Sequence, residues 1–198
     1  MAEHRGAGFF EALQLDPVIP AVHAEGEPLE KALSEDHPAI FVLGGDIFKL
    51  THRIEGEKRR PPVFVNVDLI GGIAGDKTGI AFLSRHVEGV ISTNRNVIEM
   101  ANSTALITVQ RLFGLDAMAI ERGLRLVKRA KPQCVEILPA LSCPPMVSRY
   151  PEVLNRPVLA GGLLKSREEV MSVLNAGALG VSTSALDLWS IGRLTRSS

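Results

Sequence analysis

Two short stretches carry the residue types that can hold an anion: Ala160-Gly161-Gly162-Leu163 and, about twenty residues later, Ser182-Thr183-Ser184. Glycines let backbone N–H groups approach an anion with no Cβ in the way, and hydroxyls beside a helix N-terminus add donors and a positive dipole. Gly161, Gly162, Thr183 and Ser184 therefore read as a phosphate site. Arg111 and Arg95 close apolar runs and would add charge-assisted contacts. A second set, Asp68, Gln110 and Glu136, sits within apolar runs, where such groups need partners: one another, water, or the hydroxyls of a ligand. General acid and base chemistry would fall to Asp68 with Glu136, or to His23. A Schiff-base lysine is not offered, because no lysine lies in a strand-like run. Cys134 opens one without a histidine near it in sequence, so it is not an evident nucleophile. No metal site and no cofactor are expected, since His23 is the one histidine near these carboxylates.

Such groups must be brought together by elements far apart in sequence. Short β-branched or apolar runs at 17–22, 39–43, 63–68, 89–92, 105–110, 134–138, 158–160 and 180–183 alternate with helix-like segments at 28–34, 47–57, 80–86, 97–101, 118–130, 145–154 and 168–176. Repeated strand-then-helix order means parallel strands with crossover connections. Eight units close into a (β/α)8 barrel, and the first strand is not followed by the G-x-G-x-x-G turn of an open dinucleotide-binding sheet. The whole chain, 198 residues, is short for a fold of about 250, so loops must be minimal. Residues 17–192 are expected to form the barrel, 193–198 a tail, and 1–16 an extension. In that extension Phe9, Phe10, Leu13 and Leu15 would cap the barrel's bottom or carry a subunit contact, making a homo-oligomer. Phosphate sits after strands seven and eight in many such barrels, which is where the Gly-Gly pair and Ser182 to Ser184 fall.

Alternate residues of a barrel strand face the interior and the helices. In the third strand Val63, Val65 and Val67 alternate with Phe64, Asn66 and Asp68, which predicts Asn66 and Asp68 inside. The same reasoning turns Thr108 and Gln110 inward in the fifth strand and Glu136 in the sixth. Asp68, Gln110 and Glu136 would then meet a ligand's hydroxyls below its phosphate.

Lys plus Arg and Asp plus Glu both total 22, so any nucleic-acid contact must be local. Arg122, Arg125 and Arg129 fall on one helical face, and Lys58, Arg59 and Arg60 form a second basic group; a solvated surface is the competing reading. Two cysteines, Cys134 and Cys143, match neither a disulfide framework nor a zinc pattern and read as reduced thiols. No apolar run approaches the roughly 20 residues of a spanning helix, and the N-terminus lacks a signal-peptide centre. No membrane association and a cytoplasmic setting are expected.

Nine motifs in register resemble the glycerol-3-phosphate-responsive antiterminator family: Ile19-Pro20-Ala21-Val22, Gly45-Asp46-Ile47, Asp68-Leu69-Ile70 with Gly72, Ile91-Ser92-Thr93, Gln110-Arg111, Leu115-Asp116, Val135-Glu136-Ile137-Leu138-Pro139, Ala160-Gly161-Gly162-Leu163, and Val181-Ser182-Thr183-Ser184 through Trp189. The match runs from about 17 to 189. It departs from the family's usual residues at His23, Asn66, Asn94 with Arg95, and Ala140. The resemblance implies a non-catalytic barrel that binds glycerol 3-phosphate and acts on the leader mRNA of glycerol-utilisation genes to prevent early termination. A phosphometabolite-binding or phosphosugar-processing barrel enzyme is the alternative that the acidic interior keeps open.

Overall fold

The computed structural model describes residues 2–57 and 59–191; Lys58 and the tail expected at 193–198 lie outside them. Ten strands follow in chain order: β1 (Val18–Val22), β2 (Ile40–Val42), β3 (Gly45–Asp46), β4 (Val63–Asn66), β5 (Ile70–Gly71), β6 (Gly89–Ser92), β7 (Ile107–Phe113), β8 (Cys134–Leu138), β9 (Val158–Gly161) and β10 (Gly180–Thr183). Eight of them close a parallel barrel in the order β1-β2-β4-β6-β7-β8-β9-β10. The remaining pair, β3 and β5, is a two-stranded parallel clip that ties the loop after β2 to the loop after β4.

Helices α1 (Ala2–Leu15), α2 (Glu27–Ser34), α3 (Ile47–Ile54), α4 (Lys77–His86), α5 (Arg95–Ala101), α6 (Ala117–Ala130), α7 (Cys143–Arg149) and α8 (Arg167–Asn175) complete the fold. Five of them begin at a side-chain cap. Asp46, Asp76, Asn94, Asp116 and Ser166 each accept a backbone N–H from the first turn of α3, α4, α5, α6 and α8, satisfying donors that a helix start leaves open. These caps end the βα loops, so they set the height at which each loop meets the barrel mouth. Two helices are shorter than their sequence pattern suggests. Pro151 follows Tyr150, the residue that caps α7, and a residue before proline leaves the helical region. Gly56, at φ 80°, marks the turn that follows α3. None of the helices among the described residues is long and apolar enough to cross a membrane.

Strand alternation sorts the apolar residues into two layers. Val18, Val42, Val63, Val65, Val90, Leu112, Val135, Ile137 and Val181 pack under the helices. Ile19, Phe41, Phe64, Ile91, Ile107, Val109, Cys134 and Leu159 fill the barrel itself. Helix α1 inserts Phe9 (3% exposed) and Leu13 (0%) into the inner layer, with the Phe9 ring 4.7 Å from Phe64. The periodicity of this helix is faint because α1 covers the bottom of the barrel with few side chains, Phe9, Phe10 and Leu13, while Leu15 is exposed and takes no part in the cap.

Candidate functional site

Above the inner apolar layer, the next inward-facing positions are polar. Asn66 follows Phe64 on β4, Arg111 follows Val109 on β7, Glu136 follows Cys134 on β8, Gly161 follows Leu159 on β9, and Ser182 follows Gly180 on β10. Parallel pairing sets Arg111 beside Glu136 and Ser182 beside Gly161. Glu136 is fully buried and both its oxygens are held: Arg111 Nε donates to Oε2 at 2.6 Å and Ser182 Oγ donates to Oε1 at 2.5 Å. Gly161 is what makes room for this. A Cβ there would stand 2.7 Å from Glu136 Oε1 and closer still to Ser182 Oγ. The floor of the mouth is thus an ion pair with a hydroxyl clasp.

Arg111 gives only Nε to the carboxylate; Nη1 and Nη2 make no hydrogen bond to any described residue. Its side chain is 9% exposed, so a planar pair of donors stands at the mouth, a geometry suited to two oxygens of one anion. The rim supplies further donors. After β9 the chain turns through Gly162 (φ 79°) and Leu163 (φ 63°), and both residues are exposed. The backbone N–H groups of Gly162, Leu163, Leu164 and, after β10, Ser184 donate to no described group. Three of these four residues are exposed, so their amides are open to water or to an anion, and successive N–H groups pointing the same way make an anion receptor. Thr183 turns the other way: its Oγ1 accepts from Ala185 N, and its carbonyl accepts from the buried Trp189 Nε1.

The chain belongs to the glycerol-3-phosphate responsive antiterminator family. Residues 18–189 match the family described as "Glycerol-3-phosphate responsive antiterminator". A crystal structure of the glycerol uptake operon antiterminator regulatory protein from Listeria monocytogenes is 32% identical, with a TM-score of 0.80, covering 87% of this chain and 94% of that one. A glycerol uptake operon antiterminator-related protein from Thermotoga maritima is 25% identical with a TM-score of 0.77, covering 88% of this chain and 99% of that one. The uncharacterized Escherichia coli protein YgcP is 29% identical over 185 residues, 91% of this chain and 95% of its own. Barrel enzymes at 10–17% identity share the fold alone.

For this family member, four sequence expectations need correction. Gln110 and Thr108 do not face the interior. Ile107 and Val109 fill the barrel, so Thr108 and Gln110 point to the helix layer. There the Gln110 amide donates to the carbonyls of Ser92 and Thr93, and Thr108 exchanges hydrogen bonds with Asn102 and Gln133. Thr108 is thereby fully partnered outside the interior, whereas the buried Oε1 of Gln110 accepts no hydrogen bond from a described residue. Asp68 lies beyond the end of β4, exposed in the following turn, with its oxygens taken by Ser92 Oγ (2.5 Å), Thr93 N (2.6 Å) and Thr93 Oγ1 (2.8 Å). Arg95 is the first residue of α5, directed along that helix to Glu99 and Asn96. Arg60 is pinned to Glu88 at 2.8 Å beneath β4 and β6, whereas Arg59 and the α6 residues Arg122, Arg125 and Arg129 are exposed. Glu136 is inward, as alternation predicted, but is closed by Arg111 and Ser182. Ser182 itself was legible only as part of a rim motif; its parity with Gly180 is the signal that places it inside.

Proposed function

We propose that this chain is a glycerol 3-phosphate sensor whose ligand-bound form acts on leader mRNA in the cytoplasm to prevent transcription termination. Family membership supports the class of protein. The site supports the ligand through one observation: unpaired N–H groups of Gly162, Leu163, Leu164 and Ser184 stand on the same rim as the free Nη donors of Arg111. In this reading the amides and Ser184 take the phosphate and Arg111 closes on it, with the start of α8 following the β9 loop. Ligand binding would order these rim loops and shift the population toward an RNA-competent state. The exposed stripe Arg122, Arg125 and Arg129 is the candidate for the phosphate backbone of RNA.

Sensing is favoured over catalysis by how the polar groups are used. The carboxylates of Asp68 and Glu136 are hydrogen-bonded to Ser92 and Thr93 and to Arg111 and Ser182, so both serve to brace the loops and the floor of the mouth. The test is thermal denaturation with glycerol 3-phosphate, glycerol or inorganic phosphate at millimolar concentration. A rise in Tm with glycerol 3-phosphate well beyond that with either fragment is expected; no rise would reject the reading.

A further inference from the structure

Resting on the phosphate-ester reading above, we infer that Asn66 is the residue that reads the oxygen-bearing body of the ligand, donating from Nδ2 to a hydroxyl or carbonyl oxygen. The other polar groups of the floor are committed: Glu136 through both oxygens, Ser182 through its hydroxyl, Arg111 through Nε. Asn66 differs from them. It is 1% exposed, and its Oδ1 accepts the backbone N–H of Asp68 at 3.0 Å. An N–H donor needs an acceptor, so the orientation of the amide is settled by this bond. Nδ2 then makes no hydrogen bond to any described residue, which leaves one donor of this nearly buried side chain open to an acceptor on a ligand.

The amide cannot easily swing away to find one. Asp68 is anchored by Ser92, at the end of β6, and by Thr93 just beyond it, and below it Phe64 wedges Asn66's strand against the Phe9 and Phe41 rings. Asn66 pairs in register with Ile91, and Ile91 with Val109, two residues before Arg111. The unpaired donor thus shares the inner face with Arg111, two strands away on the side of the mouth opposite β9 and β10. A ligand whose phosphate lies on the Gly162 rim would extend its carbon chain toward β4. A short polyol phosphate has an oxygen to offer there; a simple alkyl phosphate has none.

The experiment measures dissociation constants for glycerol 3-phosphate and for propyl phosphate, which lacks both hydroxyls, by calorimetry. The proteins are the full chain, Asn66→Asp, which keeps the acceptor for Asp68 N but loses the donor, and Asn66→Ala. Unliganded melting curves verify folding, and the ratio of the two constants cancels any general effect of charge on phosphate. The wild-type preference for glycerol 3-phosphate is expected to shrink about five- to tenfold in both variants. An unchanged ratio in both would overturn the role of Asn66 while the phosphate site stands. Binding of neither ester by the wild-type chain would overturn the phosphate-ester reading, and Asn66's role with it.

Discussion

Gly161→Ala is the substitution whose effect the floor geometry specifies most closely. The added Cβ would lie 2.7 Å from Glu136 Oε1 and nearer to Ser182 Oγ, both inside any tolerable contact. Glu136 cannot retreat, because it is fully buried and its other oxygen is bonded to Arg111. The Ser182 hydroxyl is therefore the group that must rotate, and with it goes its bond to the carboxylate. A hydrogen bond to a charged group contributes roughly 1.5–3 kcal/mol, and Gly→Ala returns only about 0.4–1 kcal/mol by restricting the unfolded chain. A net loss of about 1–2 kcal/mol remains, a fall in Tm of roughly 2–8 °C for a domain of this size. Gly162→Ala is the control. Its nearest neighbour would be Leu138 Cδ2 at 3.7 Å, so only the left-handed backbone opposes it, at about 1 kcal/mol. Calorimetric melting of Gly161→Ala, Ser182→Ala and the double variant reads the coupling. Since Ser182→Ala has already removed the nearest atom and the lost bond, the double variant should be more stable than the sum of the singles. A wild-type Tm for Gly161→Ala, or strictly additive losses, would refute the clasp.

Other consequences are as direct. Gly162→Val should lower glycerol 3-phosphate affinity at least tenfold by placing a branched side chain on the rim at φ 79°, while cooperative melting persists; unaltered affinity in titration calorimetry would reject the rim assignment. Asp68→Ala removes three acceptor contacts and should cost about 2 kcal/mol in urea denaturation, with faster hydrogen exchange at the Thr93 amide; unchanged exchange there would argue against the anchor. Burial pushes the Cys143 thiol up to about 11, and burial with the nearby Glu136 charge raises Cys134 further. Both should resist a thiol reagent at pH 8 until the protein unfolds, and rapid labelling of the native chain would contradict their packing. Replacing Arg122, Arg125 and Arg129 by Gln should weaken RNA binding and flatten its salt dependence; equal binding would return the stripe to a solvated face.

The eight barrel strands were legible because each is a short apolar run bounded by helix caps and turns, a local signal that survives without knowledge of partners. The runs at 89–92, 134–138 and 180–183 coincide with β6, β8 and β10. The family was legible from motifs in register, and the placement of Gly162 and Ser184 just after β9 and β10 from the order of the strand-like runs. Which face a polar residue took was not. On β8 alternation placed Glu136 correctly because its apolar neighbours Val135 and Ile137 had only one layer to occupy. On β7 both faces of Thr108 to Leu112 hold apolar and polar groups, so the strand's parity depended on its pairing with β8, which carries Arg111 to the Glu136 side. The strand also runs on through Arg111 to Phe113, because the ladder to Leu138 holds it extended. Asp68 reads as a strand residue by pattern but stands in a turn, since Ser92 and Thr93 offer it three donors just past the end of β4. Local sequence could say that these groups needed partners. Only closure of the barrel, which brings residues 25 to 46 apart in the chain into contact, decided which partners they found and left Asn66, Arg111 and the rim amides facing the mouth with donors to spare.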